Sequence, residues 1–273
     1  MVERNPFDLS IVLLTEDGGT HAHETLAAVA KRMCLVIEEN CRTNRIDFLK
    51  PSQSLRGVMY GNQWRSRNPR DIGFRERIIL FGRFIAEKLL EGHVRPEAVT
   101  PSFVFFHFDG DHAWQDRHLT EEEKVADLEE FIQRRVTPAL DRALHKQREA
   151  GVEVDVEDGR NAALLRLRRL TPFYCIEAWL FQNTIEARRL CLLSCGKHLG
   201  ELQQWEADRG KLDELDKPKA ALPCIETKDH VALASSGYPA REVTEIGKSY
   251  AAAVENLRRC RDLRTALVRT RRP

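Results

Sequence analysis

An apolar run, Phe103-Val104-Phe105-Phe106-His107-Phe108, breaks off into Asp109-Gly110-Asp111-His112. Burying such a run in a sheet is favourable, but ending it in two aspartates needs a cause. Two carboxylates separated by one glycine repel, and each raises the other's pKa unless a cation sits between them. A hard divalent ion such as Mg²⁺ resolves the repulsion, because it takes carboxylate oxygens and keeps waters for substrate phosphates. The segment therefore reads as a strand that delivers a metal site at its C-terminal end. The competing reading is a plain Asp-Gly turn, which the dipeptide also favours.

The rest of the chain sets the frame for that strand. Its 273 residues suffice for one large domain, or a core domain with a smaller appendage. Apolar content of 42% and charged content of 31% are ordinary for a soluble globular protein. No apolar stretch reaches the roughly 18 residues that span a bilayer. The start, Met1-Val2-Glu3-Arg4-Asn5-Pro6, lacks the basic-then-apolar order of a signal peptide. A cytoplasmic location without a membrane partner is the expectation. The net charge of +1 restricts nucleic-acid binding to local basic patches, of which Arg65 to Arg77, Arg166 to Arg169 and Arg258 to Arg272 are the candidates. Seven cysteines without a C-x-x-C pair argue against a disulfide framework and against a thiolate zinc site. Cys191 and Cys195, four apart on an apparent helix, read as buried small hydrophobes.

Strand-like and helix-like segments alternate. Leu9 to Thr15 is a strand, stopped by the turn Glu16-Asp17-Gly18-Gly19-Thr20. Helical spacing runs from His23 to about Glu39, and Arg45 to Leu49 is a second strand. Ser52 to Asp71 reads as a long loop, and Phe74 to Leu90 as a helix with Ile78, Phe81, Ile85 and Leu89 on one face. After the run at Phe103, a helix extends from Thr120 toward Arg148 with a kink at Pro138, and a short strand lies within Ala163 to Leu170. A helix begins near Cys175, and a last one spans Val243 to Val268. This order predicts an α/β fold with a mostly parallel sheet flanked by helices and a helical C-terminal extension. Ligands of such sheets bind at the C-terminal ends of the strands. Glu16 and the pair Asp109 and Asp111 stand at two such ends, and they converge if the strands are neighbours.

Three acidic positions and a set of histidines carry chemistry. Glu16 follows a strand and precedes a glycine turn and a helix; its bland alternative is a solvated turn residue. Glu177 sits in Cys175-Ile176-Glu177-Ala178-Trp179-Leu180-Phe181, where an unpaired buried carboxylate is costly. It needs a cation, a hydrogen-bond network or an outlet to solvent. His21, His23, His107 and His112, with Asp109, offer the donors of a zinc hydrolase, but neither H-x-H-x-D-H nor H-E-x-x-H is present. No G-x-S-x-G, Walker A or G-x-G-x-x-G motif occurs.

An acid ending a first strand, a following helix, and D-x-D ending a later strand resemble the Toprim domain of topoisomerases, bacterial primases, ribonuclease maturases and nucleases of the OLD (overcoming lysogenization defect) family. The pattern is similar to that of small Toprim-like proteins of bacterial anti-phage systems. It reads here as Glu16…Gly19-Thr20…Glu24, Asp109-Gly110-Asp111 and Glu177-Ala178-Trp179-Leu180, with Asp213 to Lys219 resembling a downstream segment. The resemblance covers roughly residues 9–220. It implies a Toprim-like catalytic domain at 1–190, with an insertion at about 52–95, and a helical region at 191–273. It implies an Mg²⁺- or Mn²⁺-dependent nuclease acting on DNA or RNA in prokaryotic defence. Glu16, Asp109 and Asp111 would hold one metal and Glu177 would help hold a second, while Arg65, Arg67, Arg70 and Arg75 would contact the phosphate backbone. No lysine adjoins the acidic motifs, which leaves Lys197, Lys219 and Lys228 as candidates for a charge partner. A non-catalytic or sensor subunit working with an ATPase partner is the alternative from another class. Homo-oligomerisation through the C-terminal helices is a further option.

Overall fold

The computed structural model describes residues 7–65, 71–92, 100–110, 121–215 and 218–271. Four strands, β1 (Leu9–Thr15), β2 (Ile46–Leu49), β3 (Ser102–His107) and β4 (Leu167–Leu170), form one sheet in the order β2-β1-β3-β4. Every neighbouring pair is parallel. Helix α1 (Ala22–Ile37) links β1 to β2, and α2 (Gln53–Met59) and α3 (Ile72–Leu90) lie between β2 and β3. Helices α4 (Glu121–Phe131), α5 (Thr137–Glu149) and α6 (Val156–Leu164) separate β3 from β4. After β4 the chain is helical: α7 (Ile176–Leu180), α8 (Thr184–Ser194), α9 (Leu199–Ala207), α10 (Pro218–Ala221), α11 (His230–Ser235), α12 (Ala240–Glu245), α13 (Ser249–Arg258) and α14 (Arg261–Arg269). The α/β class, the parallel sheet and the helical C-terminal region agree with the sequence reading.

The sheet is the middle of three layers, which is why β1 and β3 are apolar at consecutive positions: both faces are covered. Leu9, Ile11, Leu13, Phe103 and Phe105 face one cluster, and Val12, Leu14, Val104 and Phe106 face the other. The first cluster contains α1 residues together with Trp205, Leu233, Val254 and Leu267, so the region after 191 shares a core with the sheet. The second is built from α2 to α6, with Trp64 edge-on to Phe106 at 5.0 Å between ring centroids.

Three segments differ from the sequence reading. Within Ser52 to Asp71 the described part is α2 followed by a 3₁₀ segment, Tyr60–Arg65, rather than loop. Val58, Met59 and Trp64 bury against the sheet, and that tertiary gain outweighs the poor local propensity of a Gly- and Asn-containing stretch. The long helix toward Arg148 is continuous through a π segment, Ile132–Val136, just before Pro138. Proline has no N–H to donate, and the hydrogen-bond ladder shifts its spacing there. The expected final helix is three helices, interrupted at Gly247, whose φ of 75° is left-handed, and at Cys260, which precedes α14. Among the described residues no helix is long and apolar enough to cross a membrane.

Candidate carboxylate site at the strand ends

The order β2-β1-β3-β4 places a topological switch point between β1 and β3. The chain leaves β1 to one side for β2 and returns on the other for β3, opening a crevice beyond their C-terminal ends. Register pairs Thr15 with His107, so the residues that follow, Glu16 and Phe108-Asp109, emerge side by side. Glu16 N–H donates to the His107 carbonyl at 3.2 Å, and Glu16 Oε1 accepts from the Asp109 N–H at 2.7 Å. The two acids foreseen at separate strand ends are therefore brought together.

Asp109 is fixed from the other side as well. Its Oδ1 accepts from the Ile176 N–H at 3.1 Å, at the start of α7, which carries Glu177 in its first turn. Glu177 is buried, and both Glu177 and Asp109 act on the thiol of Cys175 between them. Burial pushes that thiol above its ordinary range, and the two carboxylates push the same way. Gly110 explains itself sterically. A Cβ there would lie 2.2 Å from the Phe173 carbonyl oxygen and 2.5 Å from that of Pro172, while Gly110 N–H donates to Pro172 at 3.1 Å. The glycine lets the β4–α7 connection close onto the residue beside Asp109.

One group that sequence reasoning missed is Lys124 on α4. Only 3% exposed, it donates to the Asp109 carbonyl oxygen at 2.5 Å and lies 3.4 Å from Glu16 Oε1. It follows Glu121-Glu122-Glu123 and looks like a solvated charge. Its signal is periodic: Lys124, Leu128 and Phe131 share one helical stripe, and the other two are buried. A lysine on an apolar stripe needs a buried partner, and Glu16 is that partner.

His107 sits one layer beneath. Its Nδ1 is 3.0 Å from Thr15 Oγ1, which also accepts from the Asp17 N–H at 3.2 Å, and its Nε2 is 3.8 Å from Asp109 Oδ1. The consistent assignment has the Thr15 hydroxyl donating to Nδ1 and leaves the proton on Nε2, facing Asp109. Burial holds the His107 imidazolium down, to a pKa of about 4, and Lys124 acts in the same direction. His107 is neutral at pH 7. With His21, His230 and Thr227 it lines a small cavity under the glycine turn. His23 points elsewhere, its Nε2 3.1 Å from the Leu49 carbonyl.

The remaining predicted residues divide. Asp111, His112, Arg67, Arg70 and Thr120 lie outside the described residues. Glu24 is at the surface, paired with Lys50 at 2.9 Å. Arg65 is buried and bound to Asp127 at 2.9 Å, against the face of Trp64. Arg75 is exposed on α3. Arg166, from the second basic patch, is also internal, donating to the Glu91 carbonyl at 3.0 Å and to Asp262 at 3.3 Å. Lys197 is exposed, Lys228 pairs with Glu226 at 2.8 Å, and Lys219 belongs to α10. Among the described residues, Glu16, Asp109 and Glu177 do not close into a three-ligand cluster.

No family model, no curated protein and no solved structure matches the chain.

Proposed function

We propose that the protein is a divalent-metal-dependent phosphodiesterase acting on nucleic acid, a Toprim-type nuclease. The observation that carries the reading is the meeting of Glu16 and Asp109 at the switch point of a parallel sheet, with Asp109 tied to the helix that bears Glu177. Hard oxygen donors with an excess of negative charge fit Mg²⁺ or Mn²⁺. Glu16, Asp109 and Asp111 would hold the ion, with Glu177 beside them. When bound, such an ion supplies Lewis-acid stabilisation of a phosphoryl oxygen and acidifies its water. The chain's own groups do the positioning. Asp109 is oriented by the Ile176 N–H, Glu16 by the Asp109 N–H and by Lys124, and neutral His107 offers an Nε2 proton toward Asp109. Lys124 takes the part of charge partner in place of Lys197, Lys219 or Lys228. Exposed Arg75 would meet the phosphate backbone in a salt-sensitive, sequence-independent contact.

The test is incubation of plasmid DNA and of RNA with the purified chain and Mg²⁺ or Mn²⁺, alongside Asp109→Ala. Cleavage by the wild type that chelator and the substitution both abolish is the expected result. Cleavage that persists in Asp109→Ala would overturn the assignment.

Lys124 also favours the second reading, a non-catalytic or sensor subunit beside an ATPase partner. A buried ammonium against Glu16 and the Asp109 carbonyl can satisfy this corner without any metal. That reading, in which any metal at the acids is structural only, predicts no cleavage by the chain alone but cleavage once the partner is present.

A further inference from the structure

Outside the carboxylate site, three thiols converge where the sequence offers no motif. Cys191 lies on the last turn of α8, and Cys195 is the residue that ends that helix. Cys224 comes from the segment after α10. Their sulfur atoms lie within 4.8 Å of one another, and Cys191 Sγ is 3.9 Å from Cys195 Sγ. A tetrahedral zinc ion with Zn–S bonds of about 2.3 Å separates its sulfurs by about 3.8 Å. The thiols are thus spaced as ligands rather than as a disulfide, whose sulfurs are about 2 Å apart.

The local backbone supports ligation. Gly196, with φ 63°, turns the chain out of α8 and donates its N–H to the Cys191 carbonyl at 2.7 Å. The lysine charge at 197 offsets part of the negative charge that three thiolates around a dication would leave. Cys191 is fully buried, whereas Cys195 and Cys224 are half-buried, so an ion has a way in.

We propose that Cys191, Cys195 and Cys224 bind one zinc ion, with the fourth tetrahedral position left to water or an incoming ligand. Soft thiolates select zinc over Mg²⁺, so this site is chemically separate from the carboxylates. Its consequence is mechanical. Cys224 begins the stretch that carries Thr227 and His230, both of which line the cavity beneath the glycine turn with His107. A zinc clasp between α8 and this stretch would hold the helical region against the strand ends.

The full chain, purified under reducing conditions with zinc supplied, should carry one equivalent of zinc by elemental analysis. Cobalt substitution should give the near-ultraviolet sulfur-to-cobalt charge-transfer band of thiolate ligation. Cys224→Ser should lose both signals while keeping the wild-type circular dichroism. Cys260→Ser, whose thiol donates to the Leu165 carbonyl at 3.4 Å, should lose neither, and nor should Asp109→Asn. Zinc retained by Cys224→Ser would overturn the proposal. So would a metal-free wild type with all seven thiols titratable after unfolding, or a disulfide between Cys195 and Cys224 in the freshly isolated chain.

Discussion

Glu16 Oε1 accepts the backbone N–H of Asp109 at 2.7 Å, which locks the end of β1 to the end of β3. The carboxylate therefore does two separable jobs: it satisfies a part-buried donor and it supplies charge. Glu16→Gln keeps an acceptor in place and removes the charge, while Glu16→Ala removes both. Either change strands the Lys124 ammonium, at about 3 kcal/mol, and Glu16→Ala adds about 1–3 kcal/mol for the unsatisfied donor. Glu16→Gln should lie closer to wild type in urea denaturation. Both should lose metal-dependent cleavage. A glutamine variant that cleaves at the wild-type rate would reduce Glu16 to a structural tie.

Lys124 is the countercharge of that corner, and its side chain and that of Glu16 are 4% and 14% exposed. Removing one partner of a buried pair strands the other. Lys124→Met should lower stability by about 3 kcal/mol in chelator. If a divalent ion can occupy the same corner, it should rescue part of that loss, since binding to the native state alone stabilises by mass action. Thermal melts with and without Mg²⁺ test this. The expected result is a larger Mg²⁺-induced rise in Tm for Lys124→Met than for wild type, and an equal rise would count against a metal beside Glu16.

Gly110 is demanded by sterics rather than by backbone dihedral. The atoms that a Cβ would meet, the carbonyl oxygens of Pro172 and Phe173, are backbone and cannot rotate aside. Gly110→Ala should cost about 2 kcal/mol or more through overpacking. It should also displace Asp109 from α7 and suppress activity. Gly57→Ala is the contrast: it lies in α2 with nothing within 4 Å of the added carbon, and should gain about 0.5–1 kcal/mol from helix propensity. Similar midpoints for the two variants would contradict the packing at Gly110.

His107 makes a pH prediction whose sign follows from burial. Its pKa falls from 6.5 to about 4 in the folded chain. Between those values the unfolded state binds more protons than the native state, so stability rises with pH across that window and is lost as pH falls through it. The shift corresponds to about 3 kcal/mol, fully present above pH 6.5 and gone below about 4. In chelator, a plot of unfolding free energy against pH should flatten on its acid side in His107→Asn. An unchanged acid limb would assign the loss to other groups.

The strand ends were legible because their residues obey local rules. Leu9 to Thr15 is an apolar run of strand length closed by a glycine turn, and the break from Phe108 to Asp109 marked the end of the later strand. Lys124 was not legible. It stands next to three glutamates, and only the position of its stripe over Leu128 and Phe131, set by the packing of α4, puts it inside. Arg65 and Arg166 were misleading in the same way: a basic cluster in sequence looks like a surface, yet these side chains are 6% and 7% exposed and paired with Asp127 and Asp262. Cys224 could not be joined to Cys191 and Cys195 at all, since only the tertiary path of the segment after α10 brings it to α8.

That division between buried and exposed arginines separates stability from binding. Arg65, with its side chain 6% exposed and held by Asp127, should contribute mainly to folding, and Arg65→Met should cost about 3 kcal/mol. Arg75, exposed on the first turns of α3, should contribute mainly to nucleic-acid affinity. Arg75→Glu should leave the melting temperature near wild type while weakening binding to single- or double-stranded probes uniformly across sequences. It should also reduce the slope of log affinity against log salt by about 1. Fluorescence anisotropy over a salt series reads both quantities. Undiminished affinity in Arg75→Glu would remove α3 from the nucleic-acid surface.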